Sequence, residues 1–94
     1  MDFEWDPRKN RGNIRKHGID FQDAVAVFEG PYLEGMDDRF DYGEERMIAF
    51  GRMGPYVVAV VYVLRGERRR ILSARKATKA EARAYLEGVY GNKQ

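Results

Sequence analysis

The stretch Arg68-Arg69-Arg70-Ile71-Leu72-Ser73-Ala74-Arg75-Lys76 carries five cations in nine residues. Guanidinium groups grip phosphate oxygens as bidentate forks and stabilise the extra charge of a pentavalent phosphorane. Alternation along a strand sets Arg69, Ile71, Ser73 and Arg75 on one face and Arg68, Arg70, Leu72, Ala74 and Lys76 on the other. On that pattern Arg70 and Arg75 share a face only if a bulge intervenes. The competing use of such charge is protection of a sheet edge. His17, the sole histidine, can act as a general base or acid, since only imidazole titrates near neutrality unaided. At a helix C-terminus its simpler role is an imidazolium favoured by the helix dipole. Glu45-Arg46 opens a strand whose Arg46 shares a face with Ile48 and Phe50, so an arginine is expected at the rim of an apolar patch. Glu45 then faces the other way unless the strand bulges there.

Other chemistries are excluded by composition. The chain has no Cys, so it can form neither a disulfide, a Cys-ligated metal centre nor a thiol nucleophile. One His forces any multi-His metal site to be shared between chains. GxGxxG, Walker A, HExxH and GxSxG motifs are absent from the sequence. Asp37, Asp38 and Asp41 lack the alternate spacing of a calcium loop. They read as a solvated acidic loop, with a loose magnesium site as the alternative. No cofactor and no metal is therefore expected.

Ninety-four residues, 44% hydrophobic and 34% charged, make one folded domain spanning 1–94. The net charge of +2 conceals basic stretches at 7–19 and 65–94 and an acidic one at 20–45. Such blocks can give one face that attracts phosphate. Six Tyr, five Phe and one Trp offer stacking surfaces for unpaired bases, although most must be core in so small a domain. The first residues lack the pattern of a signal peptide. The longest apolar run, Tyr56 to Leu64, is too short to cross a bilayer as a helix. A cytoplasmic protein is expected.

The elements that must position these groups follow from caps and periodicity. Phe3-Glu4-Trp5 alternates like an edge strand. Asp6-Pro7 is an N-cap followed by Pro at N1, opening a helix to about Lys16 that stops at His17-Gly18. Asp20, with Asp23, caps a second helix carrying Phe21, Ala24, Val25 and Phe28 on one face, ended by Gly30-Pro31. Strands follow at Tyr32–Glu34, Arg46–Arg52, Tyr56–Leu64 and Arg68–Arg75, with the apolar third of them central. Thr78-Lys79-Ala80-Glu81 is a capping box opening a last helix with Ala82, Tyr85, Leu86 and Val89 inward, frayed by Gly88 and Gly91. The expected fold is α+β: a short N-terminal strand, two helices, an antiparallel meander and a C-terminal helix. All helices are expected on one sheet face, the other remaining partly open.

Four segments stand in a specific order: Phe3-Glu4-Trp5-Asp6-Pro7 with Lys9; Lys16-His17-Gly18 with Phe21 and Ala24; Glu45-Arg46 leading to Gly51; and Arg70 through Thr78. In these the chain resembles the BrnT family, RelE-like ribonuclease toxins of type II toxin–antitoxin systems, from Phe3 to about Glu87. The resemblance implies an mRNA-cleaving toxin that blocks translation. It also implies a cognate BrnA-like, ribbon–helix–helix DNA-binding antitoxin, through which alone operator DNA would be met, and no membrane partner. Cleavage would proceed without metal, by attack of the 2′-OH to give a 2′,3′-cyclic phosphate. Arg46, Arg70 and Arg75 would bind the scissile phosphate. His17 or Glu45 would be the base, with the other, or Lys76, near the leaving oxygen. Lys9 and Ser73 would add RNA contacts. The last helix is less basic than the family pattern. The alternatives are a non-catalytic RNA- or ribosome-binding module and an inactivated toxin serving only operon repression.

Overall fold

A computed structural model describes residues 2–38 and 43–91. The order is β1 (Asp2–Glu4), α1 (Pro7–His17), α2 (Phe21–Ala24), a 3₁₀ turn (Val25–Glu29), β2 (Leu33–Met36), β3 (Met47–Met53), β4 (Tyr56–Arg65), β5 (Arg68–Lys76) and α3 (Lys79–Tyr90). The five strands form one sheet in the order β1-β5-β4-β3-β2. β2 to β5 make the expected antiparallel meander, and β1 adds a parallel edge beside Arg68–Arg70. β4 is central, and its residues from Val58 to Val63 are buried on both faces.

The caps lie where the sequence puts them. Asp6 accepts from the Arg8 N–H at 2.8 Å, and left-handed Gly18 (φ 73°) returns its N–H to the Ile14 carbonyl. Thr78 and Glu81 close a reciprocal capping box. The second helix is shorter than expected. After Ala24 it tightens into the 3₁₀ turn, where the β-branched Val25 and Val27 fit an α-helix less well.

That turn lies on the sheet face of Gly51, where a Cβ would come within 2.8 Å of Val27. Phe21, Ala24 and Val27 pack there with Ala49, Val58, Val60, Tyr62, Ile71 and Ala74 to form the main core. Against expectation, α3 lies on the opposite face. Leu33 pairs with Phe50, one residue from Gly51 and so on the other side of the sheet. A Cβ on Gly88 would meet Leu33 at 2.6 Å. Gly88 therefore marks a close helix–sheet approach and not a fraying end. Tyr85, almost wholly buried, fastens the helix by donating its hydroxyl to the Pro31 carbonyl at 2.7 Å. A central strand apolar on both faces needs cover on both, which is the physical reason the helices divide.

Two polar devices hold the main-core face. Arg69, expected on a phosphate-binding row, is buried in an aromatic cage instead. Its guanidinium lies 4.3 Å from the Phe28 ring centre and within 5.9 Å of those of Phe3, Tyr32 and Tyr62. It donates to the Tyr32 hydroxyl at 2.9 Å, while Tyr62 donates to Glu34. A weakly hydrated, planar cation suits such a cage. The second device is Asn13. β1 ends at Glu4, beside Arg70, so the rest of the β5 edge lacks a strand neighbour. There the buried Asn13 amide accepts from the Ala74 N–H at 3.1 Å and donates to the Ala74 carbonyl at 2.9 Å. It also donates to the Ile19 carbonyl at 2.9 Å.

Replacing Asn13 with Ala strands three buried backbone groups. We expect a loss of about 2–4 kcal/mol in unfolding free energy, measured as a lower urea midpoint with an unchanged m-value. Asn13→Asp should recover little of it, since a carboxylate cannot donate to the two carbonyls.

Candidate active site

Four residues along β5, the ladder slips. Val61 pairs with Ser73, but Tyr62 pairs with Ile71, leaving Leu72 as the extra residue of a bulge. The alternation therefore reverses at Leu72. Arg70 pairs with Val63, Ser73 with Val61 and Arg75 with Ala59, three partners spaced by two along β4 and so on one face. The two rows expected from an unbroken strand are replaced by new ones. Arg69, Ile71, Ala74 and Lys76 face the main core side. Arg70, Ser73 and Arg75 share the α3 side, spread over about 13 Å.

Helix α3 covers only one end of that face. Its N-terminus is tied to β5 through Glu81 and Arg75, and Gly88 rests on Leu33 in β2. It thus crosses the sheet at the end where β5 finishes. The end where β5 begins is left uncovered by any helix among the described residues, and there Arg70 lies beside Glu4 of β1. This is the partly open surface the sequence suggests, narrower than expected.

On this face of the sheet, Arg70 and Arg75 are each braced by a carboxylate. Glu4, not singled out in the sequence, accepts from Arg70 at 2.8 Å and Arg68 at 3.4 Å, and these bonds hold its carboxyl below the usual range. Glu81 takes Arg75 as a two-point fork at 2.8 and 3.0 Å. That fork, with the Thr78 cap, pulls its pKa down to about 2. Glu44 lies between Arg46, at 3.7 Å, and Arg65, at 3.8 Å. A guanidinium held this way is fixed in direction, which lowers the entropy lost on binding an anion.

The remaining expected residues divide between the two ends. His17 ends α1 beside Arg75. Its pKa is lowered by burial first, then by the charges of Lys16 and Arg75, the reverse of what the helix dipole alone would do. Both causes disfavour the imidazolium. Arg46 precedes β3, one residue beyond the Met47–Tyr62 pair, so continued register sets it across Val63 from Arg70. Its carbonyl accepts from the Asp37 N–H at 2.7 Å. Glu45 is exposed beside it, at the opposite end of the ladder from His17, so one phosphate cannot engage both. Lys76 faces away from Arg75, its ammonium 4.3 Å from the Tyr56 ring centre. Lys9 is exposed on α1. Asp37 is buried rather than solvated, and Asp41 lies outside the described residues. No group of three or more metal-ligating side chains occurs among the described residues. None of the described helices is long and apolar enough to cross a membrane.

Comparison with known proteins finds both a family and a similar solved structure. Residues 5–81 fit the family model described as the ribonuclease toxin BrnT of type II toxin–antitoxin systems. The crystal structure of the Brucella abortus ribonuclease toxin BrnT is similar at 28% identity, with a TM-score of 0.61. The match covers 84% of this chain and 99% of that one. No curated protein matches.

The titrations fall in separate windows. His17 binds its proton more weakly in the native state than when unfolded, so stability falls as pH drops through and below about 6.5. Glu81 contributes stability that is complete above about 4.5 and is lost as pH falls towards 2. In unfolding curves from pH 8 to 2, His17→Gln should flatten the first window and Glu81→Gln should weaken the second.

Proposed function

Because the chain belongs to the BrnT family of type II toxin–antitoxin ribonuclease toxins, we propose that it cuts single-stranded mRNA with His17 and Arg75 as its reacting pair. The observation that carries this reading is a carboxylate-braced guanidinium at the end of β5, near enough to the histidine ending α1 for its charge to disfavour the imidazolium. A base must be unprotonated at working pH, and a phosphate needs a fixed cation.

His17 takes the proton of the ribose 2′-OH, and the 2′-oxygen attacks the adjacent phosphorus. Arg75, held by Glu81, stabilises the charge that builds on the non-bridging oxygens. The bond to the 5′-oxygen breaks, that oxygen takes a proton from water, and a 2′,3′-cyclic phosphate and a 5′-OH remain. No metal is required by these steps. Ser73 and Arg70, on the same face, hold the neighbouring backbone, and Arg46 extends the row. Lys9 and Lys76 lie outside it. Cleaving mRNA would block translation, and an antitoxin, BrnA-like in this reading, would neutralise it.

Occupation of Arg75 by Glu81 also favours a second reading, in which the row binds RNA without cutting it. Mapping of new 5′ ends after induced expression separates the two, since binding alone leaves RNA intact. His17→Gln should lower cleavage about 10²–10⁴-fold and Arg75→Ala about 10²–10³-fold, both folding normally. The rate should rise through a pKa below 6.5 and be flat at neutral pH. If both variants cut as fast as the parent, the pair is wrongly assigned.

A further inference from the structure

Beside Arg70's partner Val63, the sheet ends in a recess of about 300 Å³ lined by Glu44, Glu45, Met47, Val63, Leu64 and Arg65. The proposed cleavage chemistry uses none of these carboxylates. The recess wraps the end of the sheet, with Val63 from Arg70's side and Met47 and Leu64 from the main-core side as its apolar lining, and Leu64 is 58% exposed. Its rim is polar. Glu44 is committed to Arg46 and Arg65, whereas Glu45 makes no ion pair among the described residues. Walls that can lie against a flat ring, with one available carboxylate and one guanidinium at the rim, are the parts of a nucleobase site.

We propose that this recess reads a guanine base about two nucleotides from the cut. The position rests on the RNA-cleaving reading above, since the recess adjoins Arg70, and Arg70 is about 13 Å along the sheet from Arg75. The choice of guanine rests on the rim chemistry. An ionised carboxylate only accepts hydrogen bonds and has two oxygens to do so. Guanine alone offers two adjacent N–H donors on its pairing edge, N1–H and the 2-amino group. It also carries O6 next to them, the natural acceptor for a guanidinium such as Arg65. Adenine and cytosine place a ring acceptor nitrogen where Glu45 needs a second donor. Uracil flanks its single N–H with two carbonyls. A site built from such groups discriminates strongly because a mismatched base leaves them unpaired.

The test uses RNA oligonucleotides that differ at one position in having guanine, inosine, adenine, cytosine or uracil. Inosine lacks only the 2-amino group. Cleavage by the parent protein should favour guanine at one fixed offset from the cut, with inosine about tenfold slower. Glu45→Gln should slow both RNAs and bring the guanine-to-inosine ratio close to one, since a neutral amide no longer accepts from two adjacent donors. Binding of the same uncut RNAs to His17→Gln reads the recess without chemistry, and should show the same order. Equal binding of guanine and inosine RNA, or a Glu45→Gln variant that still prefers guanine, overturns the proposal. Guanine-selective binding without cleavage by the parent would instead uphold the recess and overturn the ribonuclease mechanism.

Discussion

The Asn13 amide stands in for a missing strand. Beyond Glu4, the β5 edge has no strand to pair with, and an unpaired buried edge is costly. One side chain supplies both a donor and an acceptor to Ala74, and the same amide nitrogen holds the chain leaving α1 at Ile19. This fixes the height of α1 along β5. The height in turn brings the end of the helix, with His17, within reach of the Arg75 charge. Asn10 adds a second stitch, accepting from the Phe21 N–H and donating to Asp20, so α2 and the core follow from the same docking.

The bulge at Leu72 is the complementary device on the strand itself. An ordinary strand would have sent Arg70 and Arg75 to opposite sides. Inserting one residue brings them to the same side while keeping Arg69 and Ala74 towards the core. The cationic sequence thereby serves two purposes that would otherwise conflict, a buried arginine that binds aromatic rings and half-buried ones held by carboxylates. The three braces, Glu4, Glu44 and Glu81, come from β1, the loop before β3 and α3. A net charge near neutrality is thus compatible with a surface of well-positioned cations.

What could be read in the sequence was local. Asp6-Pro7, Gly18 and Thr78 to Glu81 mark helix ends because caps act over three or four residues. The strands show by their period and β-branched content. The bulge leaves no such mark, since nothing in Ile71-Leu72-Ser73 distinguishes it from a regular strand. Asn13 meets Ala74 across 61 residues and Glu4 meets Arg70 across 66, and neither partner signals the other along the chain. The side taken by α3 was hidden for the same reason, because it depends on Gly88 admitting Leu33. The site residues were therefore recognisable by type, while their grouping into two ends needed the fold.

The parallel pairing of β1 with β5 also bears on how the protein is made. Synthesis runs from the N-terminus, so residues 2–4 emerge long before their strand partners, residues 68–70. The brace on Arg75 waits still longer, for Glu81. Pairings between such distant segments are slow to form. A nascent chain tethered to the ribosome carries Glu4 long before the arginine it braces has been made. Assembly of the surface is thereby deferred until Glu81 has been made, and a product truncated before it would lack the brace on Arg75.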